Sequence, residues 1–340
     1  MTTDMVQEVF AIAHPSDIAA TRRAGVRLAQ SLGFDEAGAG RVALIITEAA
    51  TNILKHAVAG KIILRKVAKT ESGKVAHGVE ILALDKGPGI ANPAQSLRDG
   101  VSSAGTAGTG LGAMRRLSEQ FDIHTAPGNG SAFFMCAWPD GRAAEPGPVQ
   151  IGAVCLPMPG EEACGDAFAV AQLEHSITLL VADGLGHGPE AARASSAAVL
   201  TLGIRPSFAP GQLIDAVHVA SRSTRGMALA VASIPCDDGE LVFAGVGNIS
   251  ACLISDNAAK QLMSHNGTVG HNMRKVQEFR MDWPKNGMLI LHSDGLSKQW
   301  NLDAYPGLAS CHPSLIAGVL YRDFARDRDD ACVLVAKRRP

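Results

Sequence analysis

No uninterrupted apolar run in the 340-residue chain reaches the roughly 18 positions that suggest a membrane span. The opening residues, MTTDMVQEVF, lack the basic start and the long apolar stretch of a secretory signal. None of the seven cysteines forms a C-x-x-C pair, so reduced thiols account for them better than a disulfide framework or a zinc site. A formal net charge of −2 leaves no excess of positive charge for a strongly basic nucleic-acid binder. There is no short-period repeat and no low-complexity tract. These absences lead to the expectation of a cytoplasmic chain with neither a membrane nor a nucleic acid among its partners.

Hydrophobic residues make up 46% of the chain and charged residues 19%, enough for sizeable cores. The length suggests about two domains. PDGRAAEPGP, residues 139–148, is rich in Pro and Gly, carries no apolar period, and lies between two strand-like stretches. It is the expected linker between domains at 1–138 and 149–340. The N-terminal half interleaves element types. VQEVFAIA, KIILRKVA and VEILAL read as strands, 16–31, 35–57 and LGAMRRLSEQF as helices, and IHTAPGNGSAFFMCAW as a hairpin turning at Gly-Asn-Gly. That pattern predicts an α/β domain with helices covering a sheet. The C-terminal half reads as nine short strands, with helices at 189–202, 211–223 and 314–325, which predicts packed sheets with helices outside.

Within the C-terminal half, a pair of apolar strands each run into an aspartate followed by glycine: Asp183 in ITLLVADGLGHG and Asp294 in MLILHSDGL. Asp166 follows glycine in EEACGDAFAV, and Asp329 and Asp330 open the last strand in DRDDACVLVA. An acid at a strand end is carried to the rim of its sheet, and a glycine beside it lets backbone approach a ligand closely. Taken singly, Asp-Gly is a common turn dipeptide. As a set, clustered carboxylates repel unless cations hold them, and hard oxygen donors suit Mg²⁺ or Mn²⁺. Two such ions about 3.5–4 Å apart can activate a water and clamp a phosphate.

The ordered set GD, ADGLGHG, HSDGL and RDDACVLV, with FAGVGNISACL at 243–253, resembles the SpoIIE-like branch of the type 2C metal-dependent Ser/Thr phosphatases, especially its small RsbX-like members. The resemblance implies an α-β-β-α sandwich. It implies metal coordination by Asp166, Asp183, Asp294 and Asp329, with Gly184 contributing its carbonyl and Asp330 as the alternative to Asp329; Asp183 and Asp294 are the catalytic acids. His187 has a spacing unlike the histidine of the animal members and reads as a turn histidine without chemistry.

In the N-terminal half, RVALIITEAATNILKHA places Val42, Ile45, Ile46, Ala49 and Ile53 on one helical face. Glu48 and Asn52, four apart, share a polar stripe beside it. VEILALDKGPGI ends a strand at Asp85 and follows it with Gly87 and Gly89. AGTGLGAMRRL sets Gly108, Gly110 and Gly112 ahead of a helix, where backbone N–H groups can cradle phosphates. The Lys of a Walker-type loop is missing, and the glycines come too late for a dinucleotide fold. The triple EAATN, DKGPG, GTGLG resembles the GHKL (Bergerat) ATP-binding fold, an α/β sandwich, and most closely its RsbT-like anti-sigma kinases. By that resemblance Asn52 would hold Mg²⁺ against the phosphates of ATP, and Asp85 would accept a hydrogen bond from the adenine amino group. Glu48 would take or orient the proton of the attacking hydroxyl, and the glycines would wrap the triphosphate.

The two resemblances together imply a bifunctional partner-switching regulator: a kinase and a Mn²⁺/Mg²⁺-dependent phosphatase acting on Ser or Thr of a STAS-type antagonist. A sigma factor or stressosome-like complex is a further partner of that setting, and kinases of this group often form homodimers. The alternative is a non-catalytic ATP-binding module that gates the phosphatase or sequesters a sigma factor.

Overall fold

The computed structural model describes residues 6–57, 59–71, 74–97, 110–143, 147–255 and 258–339. It divides into two compact units, one comprising Val6–Glu145 with Leu302–Arg322, the other Pro146–Asn301 with Asp323–Pro340.

The first unit contains β1 (Gln7–Ile12), α1 (Pro15–Ser31), α2 (Glu36–His56), β2 (Gly60–Glu71), β3 (Lys74–Asp85), α3 (Pro93–Ser96), α4 (Gly110–Leu117), β4 (Gln120–Thr125) and β5 (Ser131–Ala137). The strands form one antiparallel sheet in the order β1-β2-β3-β5-β4. The helix expected over 111–121 stops at Leu117, because Gln120 and Phe121 pair with Cys136 and Met135 in the sheet. Asp35 caps α2 by accepting a 2.7 Å bond from Gly38 N–H, which fixes where the helix begins. All five apolar positions of the expected α2 face are buried. They pack in one core with Val79, Ile81, Ala83, Phe133 and Met135 of the sheet.

The sheet is apolar on its other face as well. Leu82 and Phe134 are opposite each other across β3 and β5, and both are buried with Leu84. Covering each such side chain contributes roughly 1.5–3 kcal/mol. The cover comes from far along the chain: two short 3-10 turns, Leu302–Ala304 and Leu308–Ser310, followed by a helix, Pro313–Phe324. Residues Pro313–Tyr321 of that helix are all buried. His312 stacks on Phe134 with ring centroids 3.9 Å apart, and Asp122 Oδ2 accepts from His312 N–H at 2.6 Å. A buried Arg65–Glu80 ion pair of 2.6 Å is completed by Ser314, whose hydroxyl donates to Glu80 Oε2 at 2.9 Å. Without that hydroxyl the pair would keep an unmet acceptor in a dry layer. The compact units therefore depart from the contiguous division at 149–340: residues 302–322 pack with the first unit, since two-sided apolar strands need a second layer.

The second unit contains β6 (Val149–Leu156), β7 (Asp166–Gln172), β8 (Ser176–Gly184), α5 (Pro189–Ile204), α6 (Pro210–Ala220), β9 (Met227–Pro235), β10 (Glu240–Val246), β11 (Ser250–Ser255), β12 (Ala258–Leu262), β13 (Phe279–Asp282), β14 (Met288–His292) and β15 (Ala331–Arg338). The helix at 313–324, here α7, precedes β15. Two antiparallel sheets, β13-β10-β9-β8-β7 and β12-β11-β14-β15-β6, enclose a core that includes Phe168, Leu179, Phe243, Leu289 and Leu334. A second core lies between the first of these sheets and helices α5 and α6. The expected strands do not include β12; four of its five residues are exposed, so no apolar alternation marks it. Among the described residues no helix is long and apolar enough to cross a membrane.

Candidate functional site

In the second unit the acids of the strand ends meet at one rim. Asp166 opens β7 and Asp183 lies near the end of β8, and the antiparallel register sets them directly opposite. Asp294 follows β14, and Asp329 precedes β15, which pairs with β14 in the other sheet. Ser293 stitches the two sheets: its hydroxyl donates to Asp166 Oδ2 at 2.5 Å and accepts from Cys332 N–H at 3.0 Å. The Asp183 and Asp294 carboxyls are close enough to share a hydrogen bond. Burial, then the charges of Asp294 and Asp329, push Asp183 up to about 7. Burial, then Asp183, raises Asp166 well above the usual carboxylate range. Burial, then Asp294, raises Asp329. Burial first, and the neighbouring carboxylates second, make Asp166, Asp183 and Asp329 resist ionising, the electrostatic condition that a divalent cation relieves.

Asp330 differs from the other four. It is 2% exposed, and both its oxygens are taken: Oδ1 accepts from Met158 N–H at 2.8 Å and Oδ2 from Gly165 N–H at 2.7 Å. It holds the loop that presents Asp166, whereas Asp329 faces the other acids. The glycines beside the acids also serve packing. A Cβ on Gly184 would lie 2.1 Å from the Ala191 carbonyl oxygen, and one on Gly295 would lie 1.8 Å from that of Asp330. The Asp-Gly pairs thus allow backbone to meet backbone immediately behind each carboxylate. His187 is paired with Glu161, Nδ1 to Oε1 at 2.8 Å, on an exposed turn.

In the first unit α2 brings Glu48 and Asn52 under the start of α4. A Cβ on Gly110 would stand 3.0 Å from Glu48 Oε2 and 3.6 Å from Asn52 Oδ1, so glycine lets the helix start sit over both side chains. Asn52 Nδ2 is buried with no hydrogen-bond partner among the described residues. Asp85, 8% exposed, ends β3, and its Oδ1 accepts from Gly87 N–H at 2.8 Å and Ser131 N–H at 3.2 Å. Burial raises its carboxyl against the pull of those two bonds. Gly87 packs against the His56 carbonyl, and Gly89 turns the chain at φ +70° beside the Ala126 carbonyl. Gly112 is buried inside α4, and Gly108 lies outside the described residues.

Comparison with known proteins finds a separate family match in each half of the chain. Residues 12–135 match the histidine kinase-like ATPase domain family, and residues 174–339 match the stage II sporulation protein E (SpoIIE) family. Over 122 residues, 36% of this chain and 89% of the relative, the sequence is 35% identical to the serine/threonine-protein kinase RsbT of Bacillus subtilis (strain 168). The chain belongs to the RsbT kinase family. Behind its RsbT-like domain it carries a SpoIIE-type phosphatase domain of the type 2C fold. A structure from a study of the bacterial stressosome, a modular system adapted to control secondary messenger signaling, is 28% identical. It covers 55% of this chain and 98% of its own, with a TM-score of 0.52. The structure of RsbX in complex with magnesium, 21% identical, covers 57% of this chain and 97% of its own, with a TM-score of 0.49.

Both sites suit the groups their families use. In the SpoIIE-type domain the donors are all oxygen, as Mg²⁺ and Mn²⁺ require. The acids approach pairwise: among the described residues no three His, Cys, Asp or Glu side chains stand ready around one ion. In the RsbT-like domain the unpartnered Asn52 amide and the α4 start offer donors to an anion. Sequence reasoning missed Ser293 and Asn248, whose Nδ2 donates to Asp294 Oδ2 at 2.7 Å. The signal for each was present: Ser293 immediately precedes the Asp-Gly pair, and Asn248 lies within FAGVGNISACL.

Proposed function

We propose that this chain is a partner-switching regulator that both adds and removes a phosphoryl group on Ser or Thr of a STAS-domain protein. In this reading the ATP-binding domain spans 1–138, the linker 139–148, and the phosphatase domain 149–340, with 302–322 lent to the former. The setting is cytoplasmic. The observation that carries the reading is the meeting of Asp166, Asp183, Asp294 and Asp329 from two sheets, with no basic side chain hydrogen-bonded to any of them among the described residues.

Two Mg²⁺ or Mn²⁺ ions at this rim would supply an activated water and neutralise the phosphate. Asp183, between Asp166 and Asp294, bridges the two halves of the site. Asp329 closes it from the second sheet, and the Gly184 carbonyl adds an oxygen beside Asp183. Ser293 and Asn248 orient Asp166 and Asp294. Asp330 positions the Asp166 loop and is not a ligand.

In the RsbT-like domain Asp85 orients adenine through its free oxygen and Asn52 holds the metal–phosphate end of ATP. The glycines of the third motif line the phosphates, Gly110 among them. Glu48 Oε2 takes the proton of the substrate hydroxyl as its oxygen attacks the γ-phosphorus and ADP departs with the bonding pair.

Mass spectrometry of a purified STAS protein tests both halves. ATP with the wild-type chain should add 80 Da to one Ser or Thr, roughly the mass of HPO₃ and the signature of the transfer. The phosphorylated protein, freed of ATP and given Mn²⁺, should lose it. A STAS protein left unmodified while ATP is bound would leave the RsbT-like domain as a binding module.

A further inference from the structure

Beside the acid rim, in the same compact unit, lies a surface of the opposite sign. The chain has no acidic residue between Asp215 and Asp237, and none between Asp256 and Glu278. The first of these stretches carries Arg222 and Arg225 in the turn SRSTRG, and the second carries His271, Arg274 and Lys275 in the loop GHNMRKV. All five residues are exposed. Among the described residues no carboxylate pairs with Arg222, Arg225, Arg274 or Lys275.

Backbone bonds hold the two stretches against each other. Met227 and Val269 exchange N–H to carbonyl bonds of 3.0 and 2.9 Å, and Gly270 N–H donates to His218 Nδ1 at 3.0 Å. His271 Nε2 stands 3.0 Å from the Thr224 carbonyl oxygen. Gly226, at φ +79°, has no room for a side chain, since an added Cβ would lie 2.6 Å from His271 Cδ2. From there the second stretch follows α6 back to its start, where Gly211 N–H donates to Glu278 Oε1 at 2.9 Å. Met273 and Val276 pack on the core under α5 and α6, while Arg274 and Lys275 between them stay exposed.

The turn is also fastened to the loop that follows Asp183. The β8–β9 register sets Asp183 opposite Ala228 and Gly184 opposite Met227, and Leu185 N–H continues it by donating to the Gly226 carbonyl at 3.0 Å. The next residues along are Gly186 and Arg225. An added Cβ on Gly186 would stand 3.0 Å from Arg225 Nη1, so this guanidinium lies against the loop just past Asp183. Arg193 of α5 donates through Nη2 to the Ser223 carbonyl at 2.8 Å and adds a further cation; an exposed acid, Glu190, is 3.8 Å from it.

We infer that this cationic ledge is a docking surface for acidic residues that flank the phosphoserine or phosphothreonine of the protein substrate. The inference rests on the phosphatase assignment above. The rim alone repels an acidic segment, and the ledge beside it attracts one, with guanidinium groups that suit carboxylates. Such attraction acts on encounter and on substrate binding, not on the chemical step. A continuous polyanion fits less well. It would meet the acid cluster next door, and neither stretch contains a Phe, Tyr or Trp on which bases could stack.

The test uses the full-length chain with Mn²⁺ and a pair of phosphoserine peptides of equal length. One is flanked on both sides by Asp and Glu, the other by Asn and Gln in the same places. The reading is the ratio of their kcat/KM values, from which any change in the fraction of folded enzyme cancels. Wild type should favour the acidic peptide at least about fivefold at low salt, the scale of a few exposed ion pairs. The preference should reside in KM and shrink as salt rises. Arg222→Glu combined with Arg274→Glu should bring the ratio to parity or below, and the corresponding Lys pair should keep most of it. Parity in the wild type, with both peptides hydrolysed, sinks the docking surface and leaves the phosphatase assignment standing. If neither peptide nor p-nitrophenyl phosphate is hydrolysed, the phosphatase assignment has failed and the inference falls with it. A ledge that shows no peptide preference, yet retains an RNA oligonucleotide or phosphatidylserine vesicles until Arg222 and Arg274 are reversed, serves another polyanion, and the inference is wrong.

Discussion

The polar groups of the proposed ATP-binding site come from one helix, one strand end and one helix start, and Asp85, a buried acid among its described residues, has an oxygen bonded to two backbone N–H groups. The phosphatase rim is built differently. Its carboxylates come from both sheets of a sandwich, and Asp183 and Asp329 are raised mainly by burial and by one another's neighbours. The first site offers donors to an incoming anion. The second is a knot of negative charge, which in the proposed function is met by incoming cations. Under the proposed function the two sites are not redundant: ATP would bring its own negative charge to the first, while the second would gather positive charge before a phosphate approaches.

That contrast breaks most visibly at Asp183. Asp183→Asn should lower Mn²⁺-dependent phosphate release on the order of 100-fold or more, the scale of losing a preorganised electrostatic contact in an active site, and leave ATP affinity intact. Equal release rates in a phosphate assay would remove Asp183 from the metal site. Asp85→Asn is the converse. Losing a hydrogen bond to a charged acceptor costs about 1.5–3 kcal/mol, roughly a 10- to 150-fold weaker ATP affinity by calorimetry. Phosphatase turnover without nucleotide should stay as in wild type. Unchanged affinity would show that adenine is held elsewhere.

The neighbours Asp329 and Asp330 sharpen the comparison at smaller scale. Asp330→Asn leaves one of two amide donors facing an NH₂ group, an expected loss of about 1–3 kcal/mol in stability, with half-saturating Mn²⁺ little changed. Asp329→Asn should do the reverse, raising the Mn²⁺ requirement while thermal denaturation holds or improves as repulsion is relieved. The same outcome for both variants would mean that the two carboxylates are not divided into ligand and support.

Much of this was legible before any coordinates. The apolar face of α2, the strand ending at Asp85, the acids at the ends of β8 and β14 and the linker composition are all local patterns, and local patterns survive in one dimension. The end of α4 was not legible, because Gln120 and Phe121 continue a helical pattern until the partner strand claims them. The packing role of the glycines was not legible for a related reason: Gly184 and Gly295 are small because of Ala191 and Asp330, and the spacing of an Asp-Gly pair says nothing about which backbone lies behind it. The need for a second layer on the RsbT-like sheet was written in Leu82, Leu84 and Phe134, apolar on the face away from α1 and α2. What would cover it was not written there.

The sequence by itself determined that two phosphoryl-transfer chemistries share this chain, since each depends on residue types at fixed local spacing. Only the tertiary structure decided that Asp330 supports while Asp329 faces its fellow acids, that Ser293 ties the sheets, and that 302–322 belongs to the sheet of the other domain. Those are choices among long-range contacts, and they are made by whichever buried surface and unpaired backbone group need a partner once the chain has closed.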